Sequence, residues 1–264
     1  MFQSWNSYLS FKHKKEHEER YFNSEEVQEF LDEVMITARE RIESVPMGQC
    51  YWRAQLGSDL WPLDDGDGQI VDYRPVPYTA KRMKPLPEKA TEGRVNPKGI
   101  PYLYLSTDEK TAISEVRSWV GSYVTVVEFE TCRDLKVVDC SRCDIDPMNT
   151  TARDFDMLYK LEPPEPEEAT KIVWRWIDMA FSEPVDRHDS TAGYVSTQII
   201  AELFKTNGFD GIKYKSLFNG GKNLALYDIS AAKQKDKNAK VIQMSKLDVD
   251  YKQVHPFPMK RATF

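Results

Sequence analysis

Apolar residues recur at helical spacing over residues 24–43, where Val27, Phe30, Leu31, Val34, Met35, Ala38 and Ile42 share one face. Asn23 or Ser24 can cap this helix, and Glu26 stands three places after Asn23. Such a stripe needs a surface to cover it, either the main body of the protein or a partner. Residues 49–56, QCYWRAQL, read as a short buried strand. Over 57–99 proline, glycine and charge dominate, with seven prolines from Pro62 to Pro101. That composition predicts a long surface excursion with little regular structure. Loops of this length are uncommon inside compact domains and are often functional.

Regularity returns at residue 101. PYLYLS alternates as a strand, with Tyr102 and Tyr104 on one face and Leu103 and Leu105 on the other. Ser106 and Glu109 fit a capping box that opens a helix through about Val120, with Ala112, Ile113, Val116, Trp119 and Val120 as its stripe. On that wheel Glu115 falls roughly 100° from the centre of the stripe, at the boundary between core and solvent. Residues 122–130 and 135–140 read as strands. Pro163, Pro164 and Pro166 separate a short helical piece from a helix over 167–181, with Ile172, Val173, Trp176 and Ile177 inward. A further helix over 197–206 is capped by Ser196 or Thr197 and stopped by Asn207-Gly208. Strands at 209–216 and 223–229 flank Asn219-Gly220-Gly221 as a hairpin. A polar connection over 231–240 follows, and 241–246 can add an edge strand. Adjacent strands with interspersed helices favour an α+β fold over a regular βαβ alternation.

Composition narrows the function. The 264 residues carry 36 Lys and Arg against 42 Asp and Glu, a net charge of −6, which argues against a broad nucleic-acid surface while leaving room for a local basic cleft. No stretch approaches the ~20 apolar residues of a membrane span, and the N-terminus lacks the order of a signal peptide, so a cytoplasmic protein is expected. The four cysteines do not make a disulfide scaffold, and Cys140 and Cys143 form a CxxC without a second pair at zinc-ribbon spacing. His13 and His17 could share a helix face but sit in a charged run, short of the three or four converging ligands that zinc wants. Asp64-Asp65-Gly66-Asp67-Gly68 resembles half a calcium loop without its closing Glu and reads as a turn. No phosphate-cradling glycine fingerprint is present. No metal is expected.

Two arginines stand out. Arg53 lies in the otherwise uncharged strand Cys50-Tyr51-Trp52-Arg53-Ala54 and should meet an anion or an internal carboxylate. Arg94 stands in Gly93-Arg94-Val95-Asn96-Pro97-Lys98-Gly99, where glycines allow close backbone approach to a phosphate-bearing ligand or a tight turn.

Taken in order, several segments resemble the RES-domain family. They are Tyr51-Trp52-Arg53, Gly93 to Pro97 leading into Gly99-Ile100-Pro101-Tyr102-Leu103-Tyr104-Leu105, and then Ala112 through Glu115. Further on come Tyr194-Val195-Ser196-Thr197-Gln198, Asp210-Gly211-Ile212-Lys213-Tyr214-Lys215-Ser216 and Asn223. The resemblance covers roughly residues 49–230. It implies an ADP-ribosyltransferase-like fold, two small β-sheets framing a cleft with helices outside. It also implies an enzyme that consumes NAD⁺ as substrate, releasing nicotinamide to water or phosphate, as toxins of bacterial toxin–antitoxin pairs do. A relative that instead passes ADP-ribose to a protein or other macromolecule, or a RES fold that binds without turnover, is the alternative.

By motif, the resemblance makes Arg53, Glu115 and Ser216 the family's Arg, Glu and Ser, and puts Arg94 and Tyr104 at further cleft positions. The expected roles follow from chemistry. Glu115 stabilises oxocarbenium character on the ribose. Arg53 and Arg94 hold phosphates, hold the ribose or orient Glu115. Tyr104 either stacks on nicotinamide or fills a core. Ser216 shares one strand face with Ile212 and with Tyr214, a further candidate for binding the dinucleotide. Ser216 bonds the carboxamide or a ribose hydroxyl, and Asn223 supports it across the turn. The domain plan is a helical extension over 1–48, a catalytic domain over 49–230 and a C-terminal extension over 231–264 packing on it. These additions bear on whether a proteinaceous Xre-type antitoxin docks and whether the chain forms a homo-oligomer.

Overall fold

The computed structural model describes residues 1–142, 164–183, 193–218, 220–235 and 238–247. Cys143, His188, Asn219, His255, the short helical piece before Pro164 and the end of the C-terminal extension lie outside them. In chain order the elements are α1 (Ser7–His17), α2 (Glu25–Ala38), β1 (Ile42–Val45), β2 (Cys50–Leu56), β3 (Asp59–Asp64), β4 (Ile70–Val76) and α3 (Ala80–Met83). After them come β5 (Leu103–Ser106), α4 (Glu109–Glu115), β6 (Tyr123–Thr131), β7 (Leu135–Cys140), α5 (Pro166–Ser182) and α6 (Val195–Thr206). The remaining strands are β8 (Gly211–Lys215), β9 (Lys222–Leu226), β10 (Ala232–Gln234) and β11 (Lys240–Gln243).

The main sheet runs β1-β7-β8-β9-β5-β2-β6-β10, with β11 also on β6. Among the described strands, β7 and β8 are the one parallel pair. Its centre is nearly severed. β2 pairs along its whole length with β6, and β5 along its whole length with β9, but β2 and β5 share the single register pair Trp52↔Ser106. The two halves therefore diverge and face each other. Tyr51, Val127, Phe129 and Ala232 of one half share a buried core with Leu103, Leu105, Val137, Leu224 and Leu226 of the other. This α+β arrangement is the frame of two sheets around a cleft that the sequence resemblance implied.

A second core lies on the outer face of the β5–β9–β8–β7 half. Val138, Ile212 and Ala225 meet Val173, Ile177 and Phe181 of α5 and Ile200 and Phe204 of α6. The same cluster includes Tyr8 and Phe11 of α1 and Val27, Phe30 and Val34 of α2. The amphipathic stripe of α2 thus finds its cover on the body of the protein. α1 contributes more than its charged sequence suggests, because Tyr8, Phe11 and Lys15 turn inward, and the Lys15 ammonium donates to the Phe22 carbonyl at 3.0 Å.

Several elements differ from expectation. The helix read as 24–43 stops at Ala38, and Ile42 instead enters β1 opposite Val138. The excursion over 57–99 is more regular than its composition suggests. β3 and β4 form a separate ribbon closed by a turn in which Asp64 and Asp65 carboxylates accept from the Gly66 and Asp67 amides. Pro62 and Pro75 hid it, since proline argues against a central strand yet is tolerated where edges stay open. The helix read as 106–120 is capped by Asp108, whose carboxylate accepts the Thr111 amide at 2.9 Å, and ends at Glu115. Ser106 is unavailable as a cap because its hydroxyl bonds Asn223. Trp119 and Val120 are consequently exposed. α6 starts after Tyr194, with Ser196 and Thr197 inside its first turn.

Phe30 is the joint of the N-terminal helices, 4.5 Å from the Phe11 ring and 5.6 Å from Phe2 between centroids. Phe30→Ala should lower unfolding free energy by about 3–5 kcal/mol in chemical denaturation. A loss under ~1 kcal/mol would mean that these helices add nothing to the cooperative core.

Candidate active site

The cleft opens where β2 and β5 part. It is a cavity of about 640 Å³ whose walls include Arg53, Arg94, Tyr104, Glu115, Tyr214 and Asn223. Six of the seven side chains singled out in the sequence thus converge, from β2, the 93–94 loop, β5, α4, β8 and β9. The seventh, Ser216, stands behind the wall and reaches the cavity through Glu115.

Glu115 is the last residue of α4, which rests on β2 and β6 through Ala112, Ala54, Val124 and Val126. Its partners come from the opposite half-sheet. The Ser216 hydroxyl donates to Glu115 Oε1 at 2.7 Å, and the Asn223 amide donates to the same oxygen at 2.6 Å. Asn223 is itself oriented by the Ser106 hydroxyl, which donates to its Oδ1 at 2.8 Å. Ser216 also accepts the Phe218 amide at 3.0 Å, which fixes the direction of its own proton. Both donors converge on one oxygen, so Oε2 has no partner among the described residues and is free for a ligand. The β8–β9 turn is held close to α4 by Gly221, where a Cβ would come within 2.0 Å of Thr111 Oγ1.

Arg53 shares a strand face with Tyr51 and so points between the half-sheets. It meets neither an anion nor a carboxylate among the described residues; its Nη1 donates to the Tyr104 carbonyl at 2.7 Å. Its Nε is buried without a partner. Displacement of water by the surrounding protein lowers its pKa to about 10, so it stays charged at neutral pH.

Tyr104 resolves the choice between cleft and core by doing part of each. Its ring lines the cavity, while its hydroxyl donates to Asn96 Oδ1 at 2.6 Å and accepts the Val95 amide at 3.2 Å. Burial pushes this phenol far above its ordinary range. Asn96 is buried and donates to the carbonyls of Thr91, Pro97 and Ile100. From α6, the Gln198 amide donates to the carbonyls of Gly93 and Asn96. Gly93 must lack a side chain, since a Cβ there would stand 2.8 Å from the Tyr104 hydroxyl. This clamp carries Arg94, which donates Nε to the Glu183 carbonyl at 3.1 Å and lies 5.9 Å from the Tyr214 ring. Burial raises the Tyr214 phenol to about 12, keeping it neutral.

Asn96, Gln198 and Arg117 are site residues that the sequence reading left without a role, and Ser106 is one that it read as a helix cap. Asn96 and Gln198 stood inside motifs already noted, and nothing in their spacing signalled a clamp. Among the described residues no group of His, Cys, Asp and Glu could hold a metal ion, and no helix is long and apolar enough to cross a membrane.

The RES domain family model matches residues 70–251. The chain belongs to the RES-domain family. The matched stretch includes Arg94, Tyr104, Glu115, Tyr214, Ser216 and Asn223, whereas Arg53 precedes it on β2. Among solved structures, a chain of the M. tuberculosis MbcT–MbcA toxin–antitoxin complex is similar at 13% identity and a TM-score of 0.40, covering 81% of this RES protein and 94% of that chain. Among curated proteins there is no match.

Tyr104→Phe should release the 93–97 loop while leaving the ring in the wall. Losing a buried hydrogen-bonded hydroxyl costs about 1–3 kcal/mol, and the Val95 amide should exchange faster with solvent deuterium. Unchanged protection at Val95 would show that the hydroxyl does not hold the loop.

Proposed function

We propose that this protein cleaves the nicotinamide–ribose bond of NAD⁺, with water or phosphate as the acceptor. The observation that carries the reading is Glu115. It is a carboxylate with one oxygen fixed by two donors and the other without a partner among the described residues, in a cavity also lined by Arg53, Arg94 and Arg117. The substrate has matching parts: a pyrophosphate for guanidinium forks, and a ribose that gains positive charge as neutral nicotinamide departs.

In this reading the bond between the ribose anomeric carbon and the pyridine nitrogen breaks, and its electrons leave with nicotinamide. Oε2 of Glu115 faces the cation that develops, either directly or through a ribose hydroxyl. Because Ser216 and Asn223 fix the carboxylate beforehand, little reorganisation is needed at the transition state. Ser216 and Asn223 thus act as positioning residues. Water as acceptor gives ADP-ribose and a proton; phosphate gives ADP-ribose 1″-phosphate. Tyr104 and Tyr214 supply flat, neutral walls on which an aromatic ring can stack. The catalytic unit in this proposal begins near residue 49, since β2 carries Arg53. The Xre-type antitoxin implied by the family resemblance belongs to the same proposal.

Mass spectrometry of NAD⁺ incubated with the protein, in phosphate and in phosphate-free buffer, should identify the acceptor. Labelled protein in place of free product would favour ADP-ribosyl transfer. Glu115→Gln keeps the shape and removes the charge, so kcat should fall by roughly two to four decades, equivalent to ~3–5 kcal/mol. Near-parental turnover in that variant would refute the role of Glu115. Arg53→Lys should also lower kcat/KM, because an ammonium cannot keep the Tyr104 carbonyl contact and also offer a planar guanidinium fork to the substrate. Parental kinetics there would make Arg53 structural only.

A further inference from the structure

Of the three guanidiniums at the cavity, two are already engaged. Arg53 donates to the Tyr104 carbonyl and Arg94 to the Glu183 carbonyl. Arg117 also lines the cavity, is exposed, and has no side-chain hydrogen bond or ion pair among the described residues. Its backbone is unusual as well. With φ at 47° it is the one non-glycine residue of positive φ among those described. It directly follows Val116, the C-cap of α4, at the position where helices commonly end on glycine. A left-handed conformation is unfavourable for a residue with a Cβ. An unstrained residue type was available here, yet the position carries a long cation with all its donors free, two residues beyond Glu115.

From this we infer that Arg117 is a substrate-binding residue that grips the pyrophosphate of the dinucleotide at the mouth of the cleft. The inference rests on the NAD⁺ reading and deepens it, since it names which part of the substrate this rim recognises. The left-handed turn ends α4 immediately after Glu115, so one backbone feature positions the carboxylate inside the cavity and the guanidinium at its entrance. Glu115 is the single carboxylate of the described lining against three guanidiniums, a surplus of positive charge that suits the two phosphate charges of the ligand.

Arg117→Gly separates the two properties. It removes the guanidinium and relieves the backbone, so the melting temperature should rise by about 2 °C, while KM for NAD⁺ should rise about tenfold, as for the loss of one charged contact. Arg117→Ala should show the same rise in KM without the gain in melting temperature. Nicotinamide riboside has the same scissile bond and no phosphate, so the defect of Arg117→Gly should be about tenfold larger on NAD⁺ than on the riboside. A KM for NAD⁺ within twofold of the parent, or equal defects on the two substrates, would overturn the assignment. Calorimetry with ADP-ribose separates this inference from the reaction itself. If the parent releases no nicotinamide but binds ADP-ribose more tightly than Arg117→Gly, the reaction assignment fails and the pyrophosphate site stands. If the parent does not bind ADP-ribose, the site is overturned.

Discussion

The structure depends on a gap in a sheet. Where β2 and β5 would be expected to pair, they meet at one position and then part, so the backbone groups of both strands beyond that point need other partners. The guanidinium of Arg53 takes over part of that duty by crossing from one half-sheet to the Tyr104 carbonyl on the other. A neutral side chain could close such a gap as well. A charged one obliges the surroundings to remain polar or wet, because an uncompensated buried charge is costly. The cleft and the cation that spans it are therefore a single design. Filling the gap with apolar side chains would strand the charge, and removing the charge would leave a carbonyl without its donor.

On either side of that gap the two half-sheets contribute different things. The β2–β6 half carries α4, and so sets the height at which Glu115 enters the cleft. The β5–β9–β8 half supplies Asn223 and Ser216, which aim the carboxylate. Neither half makes a site alone. A small rotation of one against the other would move Glu115 away from its donors before it disturbed either core. The clamp built from Tyr104, Asn96 and Gln198 performs the same service for Arg94, tying an irregular loop to β5 and to α6 by hydrogen bonds that are all internal.

Much of this was legible in the chain. The strands read at 49–56, 101–106, 122–130 and 135–140 and the helices read at 167–181 and 197–206 all form, with ends shifted by up to two residues, because each has a face that must be buried. The seven candidate residues could be named because they recur in a family order, although the order alone does not say what each touches. What could not be read was long-range. Ser106 looks like a helix cap until Asn223 is found beside it, and Arg53 looks like half of an ion pair until a carbonyl answers it. Proline in both strands disguised the β3–β4 ribbon. The end of α4 was overestimated because Trp119 and Val120 continue the apolar stripe, while the chain turns at Arg117 to bring residue 121 onto the Met244 carbonyl.

The aromatic cluster contributed by the first two helices has a practical corollary for anyone trimming the chain. Phe2, Tyr8, Phe11 and Phe30 cover the same helical layer that backs β8 and β9, so a boundary chosen from motif positions would cut through a hydrophobic interior rather than between units. A shortened polypeptide starting at β2 would bare the apolar surface of α5 and α6 against which α1 and α2 pack, and self-association would be the natural fate of that surface.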